Sequence, residues 1–172
     1  MRVIEASGLH HHKADRSRRS ALWVEIDFGS DRCLQIINTH LSIYPTEQKI
    51  QAAQLIEEWV QPASLLGPVV LCGDFNARPN SATCKIFRET LVDVESFDRR
   101  PTKPTLFSPF PISRVDHIFV GEGVRAKNTT VVSSRLAKTA SDHLPLIVDL
   151  EFREIEKMDS VDRMEKAYQE NK

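Results

Sequence analysis

Four short stretches of the 172-residue chain hold groups that can do hydrolytic chemistry. They are Asn38-Thr39-His40-Leu41, Gly73-Asp74-Phe75-Asn76, Arg114-Val115-Asp116-His117 and Ser141-Asp142-His143-Leu144-Pro145. Each sets an Asp, Asn or His at or near the end of an apolar run, where sheets of α/β proteins collect their sites. Asp74 and Asn76 are two apart, so an extended chain turns both to one side. Asp142 and His143 are adjacent at a strand entry, where a turn of the backbone lets both face one pocket. Carboxylates are hard oxygen ligands that suit Mg²⁺ or Mn²⁺. A histidine bonded to a carboxylate is a poised base or an orienter of attacking water. An amide and a second imidazole can donate to oxygens whose charge grows in the transition state. Together these groups describe hydrolysis of a phosphate ester by activated water.

Such groups need strands to place them. Residues 21–28 alternate in their second half and end at Gly29-Ser30, and residues 33–41 form a second strand, so 21–41 is expected to be a hairpin. Thr46 can cap a helix running to about Val60, with Ile50, Ala53, Ile56 and Val60 at helical spacing. The continuous apolar run 68–72 predicts a strand buried on both faces. A second helix is expected over 81–91, capped by Asn80 or Ser81. Four prolines between Pro101 and Pro111 predict an ordered loop. Strands recur at 114–120, 128–133 and 144–152. After Phe152, the residues Ile155, Met158, Val161, Met164 and Tyr168 step by three or four through charged neighbours, as in an amphipathic helix.

Taken singly, the blocks admit plain structural explanations. His40 alone would suit a core histidine bonded to the backbone, and Asp74 with Asn76 alone would suit an Asx-turn ending a strand. An EF-hand starting at Asp74 fails, because its sixth position is Pro79 and its twelfth is Lys85. Gly121-Glu122-Gly123 imitates a dinucleotide-binding fingerprint, but strand-like residues follow where a helix should open, so a turn is expected.

In order and spacing, the four blocks resemble the endonuclease/exonuclease/phosphatase superfamily of DNase-I-like, metal-dependent phosphoesterases. The likeness extends through Ala77-Arg78-Pro79 and Ile118-Phe119-Val120 and covers roughly residues 20–150. It implies an α/β (α+β) four-layer sandwich, two mixed β-sheets face to face with helices outside. It implies Mg²⁺ or Mn²⁺ as cofactor, with Asp142 a metal ligand and Asp74 either a second ligand or an aid to proton transfer. His143 with Asp116 would be the base or water-orienting dyad. Asn76 would position the phosphate, and His40 would stabilise a phosphoryl oxygen or the leaving group. The superfamily's early strands, one ending in the glutamate that is the principal metal ligand, are not visible in residues 1–20. The chain is therefore expected to be the C-terminal portion of the fold, incomplete at its N-terminus. Its parts would be a basic, His-containing loop at 1–20, the partial domain at 21–152 and a charged tail helix at 153–172. The alternative to a phosphoesterase is a catalytically silent truncated domain serving as a binding or assembly module, or half of a split enzyme.

Composition bounds what remains. The formal net charge of −1 gives no overall electrostatic footprint for nucleic acid. Three cysteines without a Cys-x-x-Cys pair exclude a disulfide framework and a zinc ribbon. Charged residues interrupt every apolar run short of a bilayer span, and no secretory signal is visible, so a cytoplasmic protein is expected. The substrate class is a phosphate ester: a lipid head group, a small phosphodiester or nucleic acid. The wording of the loop from Pro101 to Ser113 resembles bacterial members found alongside phospholipase-type domains and tilts the choice toward lipid or small diesters. An incomplete sheet and an apolar tail stripe predict self-association or a companion chain.

Overall fold

The computed structural model describes residues 1–9, 18–30, 32–97 and 103–153. Strands β1 (Arg2–Gly8), β2 (Ser20–Asp27), β3 (Cys33–His40), β4 (Val69–Asp74), β5 (Val92–Asp93) and β6 (Asp116–Val120) form one mixed sheet in the order β1-β2-β3-β4-β6-β5. Among the described strands only the β3–β4 pair is parallel. A second, antiparallel sheet consists of β7 (Val124–Val131) and β8 (Leu146–Phe152).

Period-two alternation sorts the side chains of the large sheet onto two faces. On one face Trp23, Ile37, Leu71 and Phe119 pack against the helices. Those helices are α1 (Pro45–Gln54), which continues through the π-helical Leu55–Val60 into α2 (Gln61–Ser64), and α3 (Ala82–Arg88). On the other face Leu34, Val70, Ile118 and Val120 pack against Val124 and Ala126 of β7 and Val148 and Leu150 of β8. Helix α4 (Arg135–Ala140) contributes Ala137 to a small cluster with Val131 and Leu144.

The hairpin, the buried β4 and the Ser81-capped helix match expectation; the backbone N–H of Cys84 donates to Ser81 Oγ at 3.1 Å. Three expectations are corrected. Residues 1–20 are not all loop: Arg2–Gly8 is a strand paired along β2 from Arg2↔Glu25 to Gly8↔Ser20. Its side chains are mostly exposed, so it lacks the apolar alternation that marks a half-buried strand. Thr46 is not the cap of α1; Pro45 opens the helix, and the buried Ser42 Oγ accepts from the N–H of Tyr44 at 3.2 Å. Third, three layers are described rather than four, because β7 and β8 expose Arg125, Lys127, Asp149 and Glu151 on the side away from the large sheet.

The small sheet covers the large one at β3, β4 and β6, while Val3 and Leu22 at the β1–β2 end are exposed; nothing among the described residues supports the expected self-association or companion chain. The tail at 154–172 and the histidines and arginines of 10–17 lie outside the described residues. Among the described residues no helix is long and apolar enough to cross a membrane.

Candidate active site

Strand register builds the site. His40, the last residue of β3, is the cross-strand partner of Asp74, the last residue of β4. Asp74 in turn is the partner of Asp116, the first residue of β6. All three share the alternation phase of Leu34, Val70 and Ile118, so they form one row on the face toward the small sheet. His143, just before β8, reaches that row from above.

Within the row, His40 Nε2 stands 3.2 Å from Asp74 Oδ2. His143 Nδ1 donates to Asp116 Oδ2 at 2.8 Å, while its Nε2 lies 3.9 Å from Asp74 Oδ2. One ligand atom each from Asp74, Asp116 and His143 falls within 4.8 Å of the others, and all three residues are half-buried. Burial pushes the His143 imidazole down, but its bond to Asp116 and the charges of Asp116, Asp74 and Asp142 outweigh it, and its pKa is raised. For His40 the balance reverses. Burial exceeds the pull of Asp74, Arg19 and His143 add to the lowering, and the pKa falls below 6.5.

Asn76 sits beside the row, in the left-handed region at φ 48°. Its backbone N–H donates to Asp74 Oδ1 at 2.8 Å and its Nδ2 to the Leu41 carbonyl at 3.0 Å, closing the Asx-turn that the sequence allowed. Gln48 Nε2 donates to the Asn76 carbonyl at 2.9 Å, so α1 holds the turn from below. Asp142 stands apart. Its side chain is exposed and it supplies no ligand atom to the three-residue group, although its charge is felt at His143.

Gly73 explains the first letter of the Gly-Asp-Phe-Asn block. Its φ is +138°, and a Cβ there would lie 1.9 Å from the Thr39 carbonyl oxygen of the neighbouring strand. Gly73→Ala must therefore part β3 from β4 beside His40 and Asp74. We expect a lower Tm together with loss of any activity; a variant with the wild-type Tm would contradict this placement.

Beneath the row lies a buried polar network that sequence reasoning did not identify. Arg114 Nη2 donates to Asp93 Oδ2 at 2.7 Å, and Arg114 Nη1 lies 3.0 Å from Glu95 Oε1. His117 points to the helix side; its Nε2 donates to the Ala77 carbonyl at 2.8 Å, and its Nδ1 is at ion-pair distance, 3.8 Å, from Asp93 Oδ2. Buried Thr105 accepts from the N–H groups of Val115 and Asp116, both at 3.4 Å, and so fixes the start of β6. The one signal in the sequence was Arg114 next to an apolar strand, since a buried guanidinium demands carboxylate partners.

Burial opposes the charged form of His117, but Asp93 and Cys84 overcome it and raise its pKa to about 9. Because that folded-state value lies above 6.5, protonated His117 contributes stability that is fully present below about pH 6.5 and is lost as pH rises through about 9. Thermal midpoints across this range should fall for the wild type and change less for Asp93→Asn. Equal slopes would remove His117 from the network.

Similar folds are known. A functionally unknown conserved protein from Enterococcus faecalis superposes with a TM-score of 0.73 at 19% identity, covering 88% of this chain and 67% of that one. An endonuclease/exonuclease/phosphatase from Bacteroides vulgatus gives 0.73 at 19%, covering 88% and 66%. A mannosyl-6-phosphatase from Bacteroides thetaiotaomicron gives 0.71 at 21%, covering 87% and 67%. This chain thus spans about two thirds of the length of these structures. Their alignments nevertheless take in 87–88% of it, more than the residues 20–150 expected, which corrects the picture of a fold that starts only after residue 20; β1 belongs to the large sheet. The model of the Endonuclease/Exonuclease/phosphatase family matches residues 5–143, from within β1 to His143, and the chain belongs to that family.

Proposed function

We propose that the chain is a divalent-metal-dependent phosphoesterase whose reacting centre is the row His40–Asp74–Asp116 with His143 above it. The observation that carries this reading is the gathering of Asp74, Asp116 and His143 ligand atoms within 4.8 Å, in a chain of this family.

The donor set fits a hard cation. Asp74 and Asp116 offer carboxylate oxygens of the kind that hold Mg²⁺ or Mn²⁺. When bound, such an ion supplies charge neutralisation at the phosphoryl oxygens. The protein's own groups do the rest. His143 donates its Nδ1–H in a hydrogen bond to Asp116, which fixes the ring and leaves Nε2 toward the site as the nitrogen that can take a proton from water. Water oxygen then bonds to phosphorus as the ester P–O bond breaks, the departing oxygen takes a proton from solvent water, and the His143 imidazolium returns its proton to solvent. The nearby carboxylates stabilise the imidazolium that forms. His40, with its lowered pKa, stays neutral near pH 7 and can donate a ring N–H to Asp74 or to a phosphoryl oxygen. Asn76 uses one amide hydrogen on Leu41 and keeps the second for the phosphate.

One protein of similar fold is named a mannosyl-6-phosphatase, so phosphomonoesters belong beside diesters in any test. Purified protein with Mg²⁺ or Mn²⁺ is offered p-nitrophenyl phosphate, bis-p-nitrophenyl phosphate, plasmid DNA and a sphingomyelin analogue. Turnover of at least one substrate, abolished by EDTA, is expected. Folded, metal-supplied protein that turns over none of them contradicts the proposal.

A further inference from the structure

The loop that flanks His143 carries three exposed apolar side chains within six residues. Phe110 is 84% exposed, Ile112 75% and Phe107 52%, with Pro109 and Pro111 between them. This is not a loose segment. Leu106 bridges to both Ser113 and His143, Ser108 N–H donates to the Asp142 carbonyl at 2.8 Å, and Phe110 N–H donates to the Phe107 carbonyl at 2.9 Å. Ser108 Oγ also donates to the Lys138 carbonyl at 3.0 Å, which ties the loop to α4, where Leu136 is 78% exposed. A backbone so well satisfied presents its apolar side chains outward by construction, and monomeric proteins seldom leave such a cluster uncovered without use for it.

The surrounding charge indicates what covers it. The tip, residues 106–112, has no ionisable side chain, and neither 103–115 nor 132–141 contains an Asp or Glu. The cations of those segments are Lys103, Arg135 and Lys138, together with Arg114, which is buried and paired. Asp116 and Asp142 follow these segments directly in sequence; Asp142 is exposed, and its carbonyl accepts from Ser108. An uncharged apolar tip on segments whose ionisable residues are all basic matches a layer that is hydrocarbon beneath and anionic phosphate above. Nucleic acid would call for cations on the tip, where there are none.

We infer that the 106–112 loop docks on an anionic phospholipid surface and seats the mouth of the site against it. The docking stands independently of catalysis. That head groups would then be presented to His143 as substrate rests on the phosphoesterase reading.

The test is vesicle flotation of the full chain in EDTA, so that metal and turnover do not enter and the two readings fail separately. Phosphatidylcholine vesicles are compared with vesicles containing phosphatidylserine. Binding to the phosphatidylserine vesicles is expected to fall about tenfold or more in Phe110→Ser/Ile112→Ser, whose exposed positions leave the fold intact. It is also expected to fall severalfold at about 0.5 M salt. Phe110→Trp supplies a second readout, since Trp23 and Trp59 are buried and should not respond. The added indole should shift to the blue on contact with the vesicles. Several results would overturn the inference: no flotation, equal flotation of the double variant, or an indole already blue-shifted without vesicles because another part of the chain covers it. Tighter retention by single-stranded DNA than by vesicles would do so as well.

Discussion

On the proposed phosphoesterase reading, His143→Ala is expected to lower phosphate-ester turnover by about 10²–10⁴-fold, the range lost with a positioned general acid or base. The imidazole is held at 2.8 Å by Asp116 with its second nitrogen toward Asp74, so alanine removes the proton acceptor and leaves the carboxylate row in place. Only a quarter of the side chain's surface is exposed, yet no core packing depends on it, and the Tm should stay near wild type. Asp116→Asn should approach the same loss, because an amide can no longer hold His143 in its tautomer through a charged acceptor. The double variant should lose little beyond either single one, since the two residues act as a unit. Near-wild-type kcat/KM in His143→Ala would show that the dyad is not the base.

Arg114→Leu is expected to cost about 3–5 kcal/mol of stability, the usual penalty for removing one partner of a buried ion pair. Arg114 and Asp93 are both nearly inaccessible, and Glu95 shares the guanidinium. Leucine would take the guanidinium from Glu95 and leave Asp93 with Arg88, at 3.1 Å, and His117 alone. For a chain of this size the cost corresponds to a fall in Tm of roughly 6–20 °C. Arg114→Leu with Asp93→Leu should recover part of the loss, because the stranded charge is reduced. If the double variant melts below the single one, packing rather than charge explains the effect.

Much of this site was legible in the sequence because it sits on strand ends, where local pattern is strongest. The apolar run ending at Asp74 and the one beginning at Asp116 fix the phase of each carboxylate on its own strand. What pattern cannot supply is register. That His40, Asp74 and Asp116 stand side by side depends on pairing across stretches of sequence, and it emerges only once β3, β4 and β6 are aligned. The apolar stripe read in α1 was only partly right. Ile50 is exposed and the buried face of the first turns is Glu47, Gln48, Gln51 and Ala52, because that face serves the Ser42 and Asn76 turns instead of an oily core. The π-helical Leu55–Val60 then shifts the phase, which a fixed 3.6-residue period misses. Strand β1 escaped notice because its mostly exposed residues show no alternation, and α4 because its six residues bury only Ala137. Asp142 was expected among the ligands on the strength of its motif; its side chain is exposed and lies outside the three-residue group, although its charge reaches His143.

The claim at the centre is that Asp74 and Asp116 hold a divalent cation for hydrolysis, and calorimetric titration of the apoprotein with Mn²⁺ tests it most directly. The wild type should show saturable binding, with Asp74→Asn and Asp116→Asn each abolishing or severely weakening it while remaining folded. Absence of binding by the folded wild type, or undiminished binding by both variants, would contradict the account.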